Sequence, residues 1–346
     1  MRSDRLIHVV GCHAEGEVGD VVTGGVAPPP GETLWEQSRY LAQNTELKDF
    51  LLHEPRGGVF RHVNLLVTPK HPDADIAAII MEPESVPPMS GSNSICVVTV
   101  ALETGRVPMR EPVTELMLEM PGGLIKVRAE CAAGKVERVS FENIASFADE
   151  LGVTLEVAGH ASVRADTAFG GDSFVVVSAA DLGFSLDASE ASDLTAVGMA
   201  IAAAAQEQIG FSHPDLPGFN DITFCLLAGP VQQSTTGLSS THAVAIKPGK
   251  LDRSPTGTGA SARLALMHAR GDARVGTQVL FRSVLGSEFR ADIVRETRVG
   301  TKPAVIPRVS GRAWITGTSQ LMLDPSDPWP TGYRLSDTWP RMPGDQ

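Results

Sequence analysis

Along the first hundred residues, short apolar runs alternate with turn residues. Residues 6–10 are mostly apolar and lead into Gly16, Gly19 and the pair Gly24-Gly25; a proline-rich loop follows at 27–31. Residues 63–67 and Ile76–Met81 predict two strands, parted by the turn His71-Pro72-Asp73. Between these segments, Leu34, Leu41, Leu47 and Leu51 with polar spacers predict a single amphipathic helix over 34–52. In the second half, 175–177, 222–227 and 243–246 have strand character. The alanine-rich stretch 188–208 predicts a helix.

A repeat organises this pattern. Ser90-Gly91-Ser92 and Thr256-Gly257-Thr258 are each a hydroxyl-Gly-hydroxyl triplet close behind a proline, and each leads into a stretch that stops at a glycine. The same offset of 166 residues separates Ser90 from Thr256 and Gly105 from Gly271. Residues 17–22 and 172–177 likewise share an acidic residue at a glycine followed by a strand. Features recurring in one order predict two copies of one α/β unit. The β-branched stretch 95–102 fits helix or strand by itself. Its counterpart, 260–270, is rich in Ala, Leu, Arg and Met and favours helix, so both are taken as helices.

Composition narrows the function classes. The 346 residues carry 41 acidic against 29 basic side chains, a formal charge of −12, without a basic cluster. Such a surface repels phosphate backbones and anionic lipid, so neither nucleic acid nor membrane is expected as a partner. The longest weakly polar run, 194–205, is too short to span a bilayer and predicts a buried helix. Val9-Val10-Gly11-Cys12 lacks the apolar segment that a lipoprotein signal needs, and a cytoplasmic location is expected. Cys12, Cys96, Cys131 and Cys225 lie far apart with no zinc-ligand spacing, which predicts reduced, buried thiols and no metal site.

The two triplets carry the candidate chemistry. A helix N-terminus presents unpaired N–H groups and partial positive charge, and small residues such as Gly91, Ser92, Gly257 and Thr258 let a carboxylate approach them. Taken one at a time, Ser90, Ser92 and Thr256 serve equally well as plain helix caps. The longer motifs decide more. Asp252-Arg253-Ser254-Pro255-Thr256-Gly257-Thr258-Gly259 resembles the second catalytic motif of the proline racemase family, and Met89-Ser90-Gly91-Ser92-Asn93-Ser94-Ile95 resembles the first. His13, Gly16, Glu17 and Val22-Thr23-Gly24-Gly25 are similar to the family's opening motif with departures, and Phe169-Gly170-Gly171 also fits. The resemblance runs from about residue 8 to 290. It implies an α/β (α+β) fold of the diaminopimelate epimerase type: two pseudo-symmetric domains, each a curved sheet around a central helix, with the active site in the interdomain cleft. It implies no cofactor and no metal.

The departure from the family pattern is the informative part. Racemases of this family place a cysteine on each face of the substrate Cα, and a cysteine at a helix N-terminus has a lowered pKa. Here Ser90 and Thr256 occupy those positions, and Cys96 falls inside a helix. Threonine at the second position is associated, by the resemblance, with dehydration of trans-3-hydroxy-L-proline to Δ1-pyrroline-2-carboxylate. In that substrate the 3-hydroxyl and the Cα hydrogen share a ring face, so one residue can take the proton and hand it to the leaving hydroxyl. Ser90 is the expected proton acceptor; Thr256 orients the ring or fills space, and Asp252 contacts the ring nitrogen. A serine hydroxyl acts as a base only when its alkoxide is stabilised or a neighbour relays its proton. His13 is a candidate relay, with a structural turn histidine as the alternative. A hydroxyproline 2-epimerase and a non-catalytic hydroxyproline-binding protein are the competing functions.

The expected domains are 1–160 with the first motif and 161–325 with the second. A tail, 326–346, could pack back on the first domain. The sequence is compatible with a homodimer.

Overall fold

The computed structural model describes residues 2–234 and 237–340. Two compact units emerge: residues up to Ser140 together with those from Gly311 onward, and Phe141–Ser310.

In the first unit the hydrophobic runs pair into one sheet. Strand Arg5–Ala14 lies antiparallel to Ala313–Leu323 on one side and to Glu17–Gly24 on the other. Glu17–Gly24 then runs parallel to Arg61–Val67, which is antiparallel to Ile76–Met81. Ile76–Met81 is parallel to Val113–Met120, and a hairpin to Gly123–Ala132 completes the order. The face away from the sheet's hollow is covered by α1 (Leu34–Gln43) and α2 (Glu46–Leu52). Leu34, Leu41, Phe50, Leu51 and Leu52 pack there on Ile7, Leu65 and Ile79. Inside the hollow sits α3 (Gly91–Glu103), in contact with the strands at 5–14, 17–24, 61–67 and 313–323. Sheet surrounds it, so every residue from Gly91 to Leu102 is buried. Past its polar first turn, residues 95–98 and 100–102 are apolar on every side, as a central position requires.

The second unit repeats the plan. Val163–Phe169 is antiparallel to Ser173–Ser178, which runs parallel to Phe224–Ala228. That strand is antiparallel to Gly237–Ile246, itself parallel to Gln278–Arg282, which forms a hairpin with Glu288–Val299. α4 (Ala191–Gln208) covers one face, and α5 (Gly257–Ala269) packs on the strands at 163–169, 173–178 and 288–299. Both units thus use the order antiparallel, parallel, antiparallel, parallel, antiparallel, with the buried helix inserted at the same step. α3 and α5 are each 13 residues long and offset by 166. They also end alike: the N–H of Arg106 bonds to the Ala101 carbonyl and that of Asp272 to the Met267 carbonyl, around Gly105 (φ +71°) and Gly271 (φ +81°). A glycine in the left-handed region is the usual way to stop a helix.

Three features differ from the sequence reading. The helix expected over 34–52 is broken at Asn44-Thr45, because Asn44 ends α1, its backbone and side-chain N–H groups both reaching the Tyr40 carbonyl. Residues 141–160 lie with the second unit rather than the first. Residues 311–325 lie with the first, because Ala313–Leu323 pairs with Arg5–Ala14 along almost its whole length. From 326 the tail lies on the first unit, with Tyr333 bridged to Glu54, Arg334 paired with Glu84 and Trp339 buried. Residues 341–346 of that predicted segment lie outside the described residues.

Candidate active site

Each unit places one hydroxyl-bearing residue at the start of its central helix, and neither acts as a cap. Ser90 (φ −147°, ψ 128°) makes no capping hydrogen bond from its side chain, and nor does Thr256. The plain-cap reading therefore does not describe either residue, and the first N–H groups of α3 and α5 are not taken up by these side chains.

Ser90 Oγ accepts a hydrogen bond from Asn93 Nδ2 at 2.8 Å. Asn93 is held in turn. Asn64 Nδ2 donates to the Asp20 carbonyl at 3.2 Å and to Asn93 Oδ1 at 2.8 Å. Asn93 Nδ2 also lies 3.2 Å from Nδ1 of His62. His62 is buried between two buried carboxylates, with Nε2 3.4 Å from Glu17 Oε1 and Nδ1 3.6 Å from Glu82 Oε1. Gly19 makes room for the group: a Cβ there would stand 2.8 Å from Asn93 Oδ1 and 2.9 Å from Cys96 Sγ. Cys96 is wholly buried, and burial pushes its thiol well above the usual range, so it remains a core residue.

In the second unit Asp252, Ser254 and Thr256 form a closed knot. Thr256 Oγ1 donates to Asp252 Oδ2 at 2.7 Å, and Asp252 Oδ1 accepts from the Ser254 N–H and hydroxyl at 2.8 and 2.9 Å. Ser254 Oγ accepts the Thr256 N–H at 3.1 Å. All three residues are buried. Thr256 adopts φ +49°, an unusual state for a β-branched residue that the surrounding bonds must hold in place. Beneath it, His242 Nε2 stands 2.6 Å from the Pro255 carbonyl. A carbonyl only accepts, so Nε2 carries the proton. Burial, with Arg263 nearby adding to it, lowers the His242 pKa to about 3. Gly170 meets the first turn of α5 so closely that a Cβ would lie 2.1 Å from the Thr258 carbonyl oxygen, which explains the glycine in Phe169-Gly170-Gly171.

The candidate residues thus fall into two groups: Ser90, Gly91 and Ser92 at α3, and Asp252, Thr256, Gly257 and Thr258 at α5. His13 is not among them. It lies near the end of strand Arg5–Ala14, where its Nδ1 accepts the Gly16 N–H of the following turn at 3.2 Å and its ring stacks on Trp314. Sequence reasoning missed Asn93, Asn64, His62, Glu82 and His242. Asn93 lies in the first motif; His62 and Asn64 share strand Arg61–Val67, Glu82 follows Ile76–Met81 and His242 is in Gly237–Ile246, and none of these four carries a local signal. Among the described residues no group of three or more His, Cys, Asp or Glu is arranged to hold a metal ion, and no helix is long and apolar enough to cross a membrane.

Two sheets of matching order, each around a buried helix, define an α+β fold of the diaminopimelate epimerase type. A phenazine biosynthesis protein of the PhzF family from Bacillus anthracis shares it at 11% identity (TM-score 0.55, covering 92% of this chain and 100% of that one). A family model described as proline racemase matches residues 9–334, and the chain belongs to that family. Two solved structures are much more similar. One is a hydroxyproline epimerase from Agrobacterium vitis with bound trans-4-hydroxy-L-proline, 37% identical over 98% of this chain and 97% of that one, TM-score 0.93. The other is a probable proline racemase from Agrobacterium radiobacter with bound carbonate, 39% identical over 96% and 98%, TM-score 0.91.

Proposed function

We propose that the protein dehydrates trans-3-hydroxy-L-proline to Δ1-pyrroline-2-carboxylate without cofactor or metal, with Ser90 as the proton acceptor. The observation that carries this reading is the pair of hydroxyls, Ser90 and Thr256, at the two positions where racemases of the family need thiols. An alcohol is a poor partner for exchanging protons on two faces, but one alcohol suffices for a syn elimination. In that step the Cα proton passes to Ser90 Oγ as the Ser90 hydroxyl proton passes to the substrate's 3-hydroxyl oxygen. The C3–O bond breaks, water leaves, and the enamine formed between Cα and C3 tautomerises to the cyclic imine. The hydrogen bond from Asn93 supports any negative charge that gathers on Oγ during the exchange. The substrate carboxylate is read as bound by the N–H groups at Gly91, Ser92, Gly257 and Thr258, and the ring nitrogen by the Asp252 carboxylate.

One observation favours a second reading, a hydroxyproline 2-epimerase. Thr256 already donates its proton to a carboxylate, which is how a hydroxyl is made more basic, and one of the similar structures is a hydroxyproline epimerase. A proton NMR time course in D2O with the 3- and 4-hydroxyproline isomers separates the two. The dehydratase reading expects imine from trans-3-hydroxy-L-proline and unchanged trans-4-hydroxy-L-proline. Deuterium at Cα of recovered 4-hydroxyproline, with no imine from the 3-isomer, overturns it in favour of the epimerase.

A further inference from the structure

We infer that Asn93 is an oxyanion-stabilising residue for Ser90, and that His62, its ring proton turned toward Glu17, is the positioning residue that keeps Asn93 turned toward it. This deepens the proposed function and rests on Ser90 being the reacting hydroxyl.

The argument is one of hydrogen-bond direction. The Asp20 main-chain carbonyl can only accept, so the Asn64 atom 3.2 Å from it is the amide nitrogen. That same NH2 group meets Asn93 2.8 Å away, which must then present its oxygen. The Asn93 NH2 is left facing Ser90 Oγ at 2.8 Å and His62 Nδ1 at 3.2 Å, and it donates one hydrogen to each. Ser90 Oγ therefore accepts from Asn93, and its own proton points away from Asn93, with Ser92 Oγ 3.5 Å away as its neighbour. His62 Nδ1 must be unprotonated for the same reason, which puts the ring proton on Nε2, on the side of Glu17 Oε1. An amide cannot readily relay protons, so the network acts on Ser90 by fixing direction and charge. The titratable and charged groups packed around it are Glu17 and Asp20 on one strand, Arg61 (paired with Asp20) and His62 on the next, Glu82 after the following strand, and the buried thiols Cys12 and Cys96.

A Ser90→Cys variant gives a reporter that needs no substrate. The introduced thiolate accepts the same Asn93 hydrogen bond, and the pH dependence of its alkylation by iodoacetamide gives its midpoint; the Ser90 parent supplies the background from the four buried cysteines. Adding Asn93→Leu is expected to raise the midpoint by about one pH unit, the size of a hydrogen bond to a charged acceptor. Adding His62→Leu is expected to raise it by less, since Asn64 still holds Asn93. If Asn93→Leu does not fold, Asn93→Asp keeps the shape, places a carboxylate against the thiol, and is expected to raise the midpoint further. With Ser90 intact, Asn93→Leu is expected to lower kcat about 100-fold with KM changed by less than about threefold. An unmoved thiol midpoint in a folded Asn93 variant overturns the inference. The failure of the proposed reaction is a separate result: a shifted midpoint without dehydration of trans-3-hydroxy-L-proline refutes the reaction and leaves the network standing.

Discussion

Thr256 donates a hydrogen bond from Oγ1 to Asp252 Oδ2 at 2.7 Å, from a backbone held at φ +49°. Ser90 is the reverse case, accepting a hydrogen from Asn93 at 2.8 Å. Two hydroxyls at equivalent positions of a repeated unit are thus polarised in opposite senses, and they need not share one role.

The role of Thr256 can be tested directly. If elimination runs from one face, Thr256→Ala retains dehydration within about tenfold of the parent, because Thr256 only orients the ring. A Thr256→Ala protein as inactive as Ser90→Ala, with an unchanged unfolding midpoint, would show that Thr256 takes part in the chemistry. Backbone strain adds a stability comparison: Thr256→Gly should exceed Thr256→Ala by about 1 kcal/mol in urea unfolding, since only glycine is at ease at positive φ.

Ser90→Ala is expected to lower kcat by at least about 1000-fold and to cost about 1–2 kcal/mol of stability, from the hydrogen bond that buried Asn93 loses. Loss of a helix cap costs about 1 kcal/mol, but the Ser90 side chain makes no capping bond. Single-turnover NMR and urea unfolding check the two halves. Residual turnover near the parent level would remove Ser90 from the mechanism.

His242 predicts an acid limb in the stability of the second unit. Its folded pKa, about 3, lies below the ordinary 6.5, so between those values the unfolded chain binds more protons. Stability is fully present above about pH 6.5 and falls as pH drops toward 3, by up to about 1.4 kcal/mol per pH unit for one proton. His213, also lowered by burial, acts with the same sign. His242→Phe should be less stable at pH 7, having lost its bond to the Pro255 carbonyl, yet show a shallower slope between pH 6.5 and 4. Urea midpoints across that range give the slopes; equal slopes in parent and variant would contradict the assignment.

Gly170→Ala is expected to destabilise by about 3 kcal/mol or to prevent folding, because its Cβ would meet backbone atoms of α5, 2.1 Å from the Thr258 oxygen and 2.4 Å from the Ala262 nitrogen. Gly105→Ala is a control: it shares only the positive φ, with nothing within 4 Å of its added Cβ, and should cost about 1 kcal/mol. Thermal unfolding of the pair measures the difference.

By itself the sequence determined whatever is local to a few turns of chain. Ser90-Gly91-Ser92 and Thr256-Gly257-Thr258 could be read as equivalent helix starts because both triplets, their prolines and their closing glycines lie within about 20 residues, and helices α3 and α5 keep the same 166-residue offset. The strand Ile76–Met81 was legible because its apolar run is short and bounded by turns. What only the tertiary structure decided depends on strand pairing across long separations. Ala313–Leu323 joins the first unit because it pairs with Arg5–Ala14, some 300 residues earlier, and no periodicity announces a partner so distant. The same holds for the groups beneath Ser90: Glu17, His62, Asn64 and Glu82 come from adjoining parts of one sheet, and only its register brings them to Asn93. His13 carried a motif and hydrogen-bonds to the turn that follows its strand; His62 carried none and lies in the network, since burial between two carboxylates is a property of the packed sheet and not of the neighbouring residues.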